Sequence, residues 1–232
     1  MEQLQNFGDI RQTSFCVYCG QGTETRDHVP SKVFLDEPYP TNLPVVPACQ
    51  ACNEGFSLDE EYVACLLDCA LAGSAGPEEV EREKIRRILR QKPALVSKFS
   101  QACKKTAGET FFDFEIERVR NVVLKLARGH AAYELNEPQL DDPSHLAFVP
   151  FPTMTSKIRE NFEALPVSSL SLWPEMGSRA MQRILLGADM DSEGWIVVQP
   201  SRYRYLTSVD CGVLVRMVIG QYLACEVVWD LG

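Results

Sequence analysis

Residues 16–53 read CVYCGQGTETRDHVPSKVFLDEPYPTNLPVVPACQACN, and this stretch decides how the first part of the chain is built. It contains two Cys-x-x-Cys pairs, Cys16/Cys19 and Cys49/Cys52. Two such pairs supply the four thiolates of a closed tetrahedral zinc site, which leaves no coordination position for a substrate. We therefore predict that the four cysteines bind one structural zinc ion.

An acid and a histidine, Asp27 and His28, lie between the two cysteine pairs. Pro30 and further prolines interrupt this segment, so a ribbon or loop is expected to carry them, not a helix. A ribbon would point the two side chains to opposite faces, whereas a turn or bulge would aim both into one cleft. Asn53 directly follows the fourth cysteine, so a bound zinc would fix its position.

These three side chains suit metal-assisted chemistry. The carboxylate of Asp27 and the amide oxygen of Asn53 are hard ligands of the kind that Mg²⁺ or Mn²⁺ prefers. A neutral His28 beside them can activate water, because its reference pKa lies close to neutral pH. Together they supply the parts for hydrolysis of a phosphodiester bond.

The arrangement of cysteines, Asp27-His28 and Asn53 resembles the HNH endonucleases of the ββα-metal, or His-Me finger, class, in their zinc-bearing branch. The resemblance spans roughly residues 13–65. It implies that His28 is the general base, that Asp27 and Asn53 hold a catalytic divalent ion, and that DNA is the substrate. Some members carry another histidine where this chain has Pro30, so the third protein contact to the ion is not specified.

Other interpretations of the same residues stay open. The module can be a zinc-stabilised adaptor that binds DNA or a protein without catalysis, in which Asp27, His28 and Asn53 do no chemistry. Arg26 either contacts a substrate phosphate or is an ordinary exposed arginine. The remaining histidines and cysteines are expected to be structural: His130, His145, Cys65, Cys69, Cys103, Cys211 and Cys225.

Composition limits the partners of the chain. Its 232 residues carry a net charge of -9, which excludes diffuse electrostatic attraction as the means of holding nucleic acid. A protein partner or a homo-oligomer is therefore expected to help engage DNA, in a setting such as bacterial defence against foreign DNA. We expect a cytoplasmic protein without membrane contact, because the polar start MEQLQNFGDI is not a signal peptide and no apolar run approaches the ~20 residues of a membrane span.

The whole chain is predicted to belong to the α+β class. An N-terminal zinc-bound ββα-metal (treble-clef-like) module over residues 1–73 is followed by an α+β domain of unassigned role over residues 74–232. The latter is expected to be helical over 74–137 and β-rich over 138–232, with a small mixed or antiparallel sheet. Predicted helices cover 57–73, a charged segment from about 77 to just before Pro93, 94–105, 119–135 and 180–186. Predicted strands cover 111–116, 146–151, 165–172, 195–199, 203–207, 213–219 and 222–229, the last two joined at Gly220-Gln221.

Overall fold

The computed structural model describes residues 14–106, 109–165, 173–187, 189–209 and 212–230. Its strands are β1 (Thr25–His28), β2 (Val45–Ala48), β3 (Cys103–Thr106), β4 (Glu109–Phe112), β5 (His145–Pro150), β6 (Ile196–Gln199), β7 (Tyr203–Val209), β8 (Gly212–Ile219) and β9 (Leu223–Asp230). Its helices are α1 (Gln50–Gly55), α2 (Ser57–Ala72), α3 (Glu83–Gln91), α4 (Pro93–Ala102), α5 (Ile116–His130), α6 (Ser156–Glu163) and α7 (Arg179–Leu186). The α+β class and the antiparallel sheets are confirmed.

The described residues form two compact units, one of which is made of two separate segments of the chain. One contains the residues up to Phe56 together with those from Val123 onward, and the other contains Ser57–Val122. The predicted division of the chain at residue 73 stays a prediction. Residues 166–172, most of one predicted strand, and Cys211 lie outside the described residues.

From residue 14 onward, the first unit contains a cysteine-bearing turn, a two-stranded ribbon and a short helix. β1 and β2 pair antiparallel, with Asp27 opposite Val46 and Arg26 opposite Pro47. A two-stranded ribbon tolerates Pro47 because every strand in it has an open edge on which a missing N–H breaks no ladder. Helix α1 starts directly after Cys49, which caps its N-terminus.

The same unit contains a five-stranded antiparallel sheet in the order β5-β9-β8-β7-β6. Strands β8 and β9 form the predicted hairpin, because Gly220 and Gln221 both have positive φ, 61° and 53°. Two consecutive left-handed residues make the type I′ turn, whose twist matches that of the strands it joins. The strand predictions for this region are confirmed to within a few residues at each end.

A buried polar network holds the sheet against the end of α5, which continues as a π-helical turn over Ala131–Leu135. His130 is fully buried, stacks on Tyr205 with ring centroids 3.7 Å apart, and pairs its Nε2 with the hydroxyl of Tyr203 at 2.8 Å. Glu134 accepts hydrogen bonds from Arg183 Nε at 3.0 Å and from Tyr205 at 2.6 Å. His130 is therefore structural, as predicted.

The second unit is mainly helical. In α2, Tyr62, Val63 and neighbouring apolar side chains are buried, whereas Leu58 is 64% exposed. Gly73 ends the helix with a φ of 64°, as its position predicts. The predicted helix over residues 94–105 is three residues too long, since Cys103–Thr106 leaves α4 and pairs with β4.

Candidate metal centre and adjoining site

The four predicted zinc ligands lie together. The Sγ atoms of Cys16, Cys19, Cys49 and Cys52 all lie within 4.8 Å of one another, and those of Cys19 and Cys49 are 3.7 Å apart. Zn–S bonds of about 2.3 Å in a tetrahedron place the sulfurs about 3.8 Å apart. The cluster therefore has the donor set and the dimensions of a structural zinc site.

Local structure brings the two pairs to this point. In the first turn, the amide of Gly20 donates to the carbonyl of Cys16 at 2.9 Å, and Gly20 has a φ of 74° that residues with a side chain rarely adopt. In the second pair, the amide of Cys52 donates to the Sγ of Cys49 at 3.4 Å. This backbone donor lowers the pKa of the Cys49 thiol and so favours the thiolate, which is the form that binds zinc.

Asp27 lies in β1 and is almost fully buried, at 8% exposure. Its Oδ2 accepts a hydrogen bond from the hydroxyl of Tyr18 at 2.8 Å and lies 2.7 Å from the Nζ of Lys125 in α5. Lys125 Nζ also donates to the hydroxyl of Ser31 at 2.7 Å. Both of these contacts use the same carboxylate oxygen, Oδ2.

His28 follows Asp27 on the same strand, so the extended arrangement is the one observed. Neighbouring residues of a strand point to opposite faces, which leaves His28 half-buried while Asp27 is buried. Partial burial, and then the positive charge of Lys32, lower the pKa of His28 below 6.5. The lowered pKa favours the neutral ring, which is the form that can accept a proton.

Asn53 is tied to the strand that carries the other two residues. Its side-chain Nδ2 donates to the hydroxyl of Thr25 at 3.1 Å and to the backbone carbonyl of Arg26 at 3.3 Å. These bonds engage the amide nitrogen and leave the amide oxygen to act as an acceptor or ligand. The side chain of Arg26 is exposed to solvent.

Two residues at this site, Tyr18 and Lys125, were not predicted from the sequence. Lys125 occurs within the apolar stripe of α5, next to Val122, Val123 and Leu126. A lysine within an apolar stripe could have indicated a buried ion pair, because lysine is almost never fully buried unless it is paired. Tyr18 carries no signal of its own, since a tyrosine between two zinc ligands is also expected in an ordinary core.

A scan against protein-family models and searches of curated proteins and of solved structures find no match for this chain. In the described part of the chain, no helix combines the length and the apolar character that crossing a bilayer requires. The four cysteines are the group of metal-ligating side chains found among the described residues.

Proposed function

We propose that this protein is a metal-dependent HNH endonuclease that hydrolyses phosphodiester bonds in DNA. The observation that supports this most directly is the pair of hydrogen bonds from Asn53 to β1, the strand that carries Asp27 and His28. One pair of the clustered cysteines precedes this ribbon in the chain, and the other pair is at the start of α1. This order of cysteine turn, two strands and helix fits a treble-clef-like ββα-metal module.

In this proposal the zinc has a structural role. Four thiolates fill its coordination sphere, so it does not contact substrate, and it fixes the start of α1 relative to the ribbon. Asn53 comes directly after a zinc ligand, and its position therefore depends on the loaded site. A second ion, Mg²⁺ or Mn²⁺, is assigned to Oδ1 of Asp27 and the amide oxygen of Asn53.

The chemistry follows from the state of each side chain. The divalent ion, when bound, supplies charge stabilisation to the phosphoryl and leaving oxygens. We assign His28 to take a proton from the attacking water, because its side chain is half-exposed and its pKa is lowered, although β1 points it to the face opposite that of Asp27. Asp27 is held in place by Tyr18 and Lys125, and exposed Arg26 is assigned to contact a phosphate.

The proposal includes help from a partner, because a net charge of -9 does not favour a polyanion. A protein partner or a second copy of this chain would supply or arrange the cations that track the DNA backbone. Bacterial defence against foreign DNA is the setting that we propose for such a regulated nuclease.

Cleavage of supercoiled plasmid by zinc-loaded protein with Mg²⁺ or Mn²⁺ tests the proposal. His28→Ala is expected to reduce the rate by about 10²- to 10⁴-fold, the usual contribution of a general base. His145→Ala serves as a matched control, because His145 is exposed, lies in β5 and belongs to no proposed site. Equal activity of wild type and His28→Ala would refute the assignment, and so would equal inertness with every ion tested and with plausible partners present.

A second candidate function is a zinc-stabilised adaptor that binds DNA or protein without cleavage. The observation that favours it is the buried ion pair between Asp27 and Lys125, which can stabilise the module without any catalytic ion. Fluorescence anisotropy with a labelled DNA duplex separates the two functions. Binding that is the same for wild type and Asp27→Asn, with and without Mg²⁺, and without cleavage, would favour the adaptor.

A further inference from the structure

Lys125 is a cation built into the proposed active site. Its side chain is 1% exposed. Its Nζ lies 2.7 Å from Asp27 Oδ2, and 5.8 and 5.9 Å from the ring centroids of Tyr18 and Phe56. Aromatic rings and a carboxylate both stabilise an ammonium group away from water. The charge is therefore fixed beside the carboxylate that the proposed function assigns to the divalent ion.

This contact changes the charge that the site presents to an incoming ion. Asp27 contributes one negative charge and Lys125 one positive charge, so the pair is neutral. His28, Asn53 and Tyr18 contribute no negative charge at neutral pH. Affinity for hard divalent cations rises with the number of charged oxygen ligands, and a neutral pair gives a weak site.

A phosphodiester would supply what the protein lacks. Each phosphodiester of a nucleic acid carries one negative charge and two non-bridging oxygens, which are hard ligands for Mg²⁺ or Mn²⁺. With the phosphate present, the ion would be attracted by two negative groups, the phosphate and Asp27. Without it, the ion would be attracted only by Asp27, whose charge is neutralised by Lys125. The second negative charge offsets the repulsion from Lys125.

We propose that Lys125 is a resident counter-cation of Asp27 that keeps the divalent ion from binding tightly until a nucleic-acid phosphate occupies the site. This inference rests on the proposed function. It adds that the ion binds tightly only when the nucleic acid is bound. Coupling of this kind is reciprocal, so DNA raises the affinity for the ion by the same factor as the ion raises the affinity for DNA. Lys125 acts through Asp27 as a positioning residue, because its burial keeps it from substrate.

The matched variants Lys125→Met and Tyr18→Phe separate charge from hydrogen bonding. Both remove a donor to Oδ2 of Asp27, but Lys125→Met alone removes a positive charge. Mn²⁺ binding is measured by the electron paramagnetic resonance signal of free Mn²⁺, on the zinc-loaded full chain. Each protein carries His28→Ala, which prevents cleavage of the added DNA duplex. Zinc content and circular dichroism establish that each variant is folded.

For the protein with native Lys125, Mn²⁺ is expected to bind at least about tenfold more tightly with duplex than without it. Lys125→Met is expected to tighten Mn²⁺ binding without DNA by about tenfold or more and to reduce the coupling. Tyr18→Phe is expected to keep the coupling within about twofold. Unchanged Mn²⁺ affinity in folded Lys125→Met would overturn the inference, and so would Mn²⁺ binding that is the same, or absent, with and without DNA.

The measurement on native Lys125 needs no folded Lys125→Met protein, so the inference remains testable if that variant does not fold. The binding and cleavage experiments also distinguish failure of the inference from failure of the proposed function. Coupled binding without any plasmid cleavage would refute the endonuclease and leave the inference standing. Cleavage by the wild type together with uncoupled Mn²⁺ binding would refute the inference alone.

Discussion

Replacing Gly129 with alanine tests how closely α5 approaches the chain just after His28. A Cβ at Gly129 would lie 2.6 Å from Cγ2 of Val29 and 2.9 Å from its Cγ1. Val29 is fully buried and β-branched, so its methyl groups cannot turn away without strain. Overpacking of this kind costs about 1–3 kcal/mol, against a gain of up to about 1 kcal/mol from the higher helix propensity of alanine.

Gly55→Ala in α1 is the matched control. A Cβ at Gly55 meets nothing within 4 Å, so only the propensity gain applies there. Urea unfolding with zinc in excess is expected to show Gly129→Ala less stable than Gly55→Ala by about 1–3 kcal/mol. Val29→Ala removes both clashing methyl groups, and in a double-mutant cycle it should recover most of this difference.

The prediction depends on the short distance between Gly129 and Val29. If Gly129→Ala and Gly55→Ala change the stability of the wild type equally, α5 and Val29 are farther apart than the structure indicates. The absence of coupling with Val29→Ala would lead to the same conclusion, because the two positions would then not contact each other.

Three further outcomes are expected. Glu134→Gln leaves buried Arg183 with Asp189 as its carboxylate partner and should cost about 1–3 kcal/mol in urea unfolding, whereas Glu78→Gln, which breaks an exposed ion pair, should change stability much less. Burial holds the pKa of His130 well below 6.5, so below that pH the unfolded chain binds the extra proton and stability should fall as pH drops. His130→Gln should flatten this dependence by up to about 1.4 kcal/mol per pH unit, and a pH series of unfolding curves measures it. Elemental analysis should find about one zinc per chain, lost in Cys52→Ser; full zinc retention in that variant would contradict the four-thiolate site.

Local signals account for the parts of the fold that the sequence predicts well. Gly220 between two apolar runs favours a hairpin because glycine readily adopts positive φ, and Gly73 ends α2 for the same reason. The four cysteines lie together, as the spacing of the two Cys-x-x-Cys pairs predicts. None of these features depends on knowing which distant segment packs nearby.

Features that depend on distant contacts were not predicted. The role of Lys125 requires Asp27, which lies far away in the chain, and no pattern within α5 specifies that partner. The early end of α4 has a similar cause. Residues Cys103–Thr106 pair with β4 and so do not continue the backbone hydrogen bonds of the helix. The catalytic roles of Asp27, His28 and Asn53 stay predictions.

A zinc ion bound by the four-cysteine cluster would also cross-link distant points of the chain. An ion that joins Cys19 to Cys49 closes a loop of about 30 residues, and a chain-entropy treatment of such a closure gives about 3–4 kcal/mol. Without the ion, the ribbon would open as a local unit while the five-stranded sheet keeps its pairing. Amide hydrogen exchange should then accelerate in β1 and β2 but not in β8, so the cell's supply of zinc would set how much of the ribbon is folded.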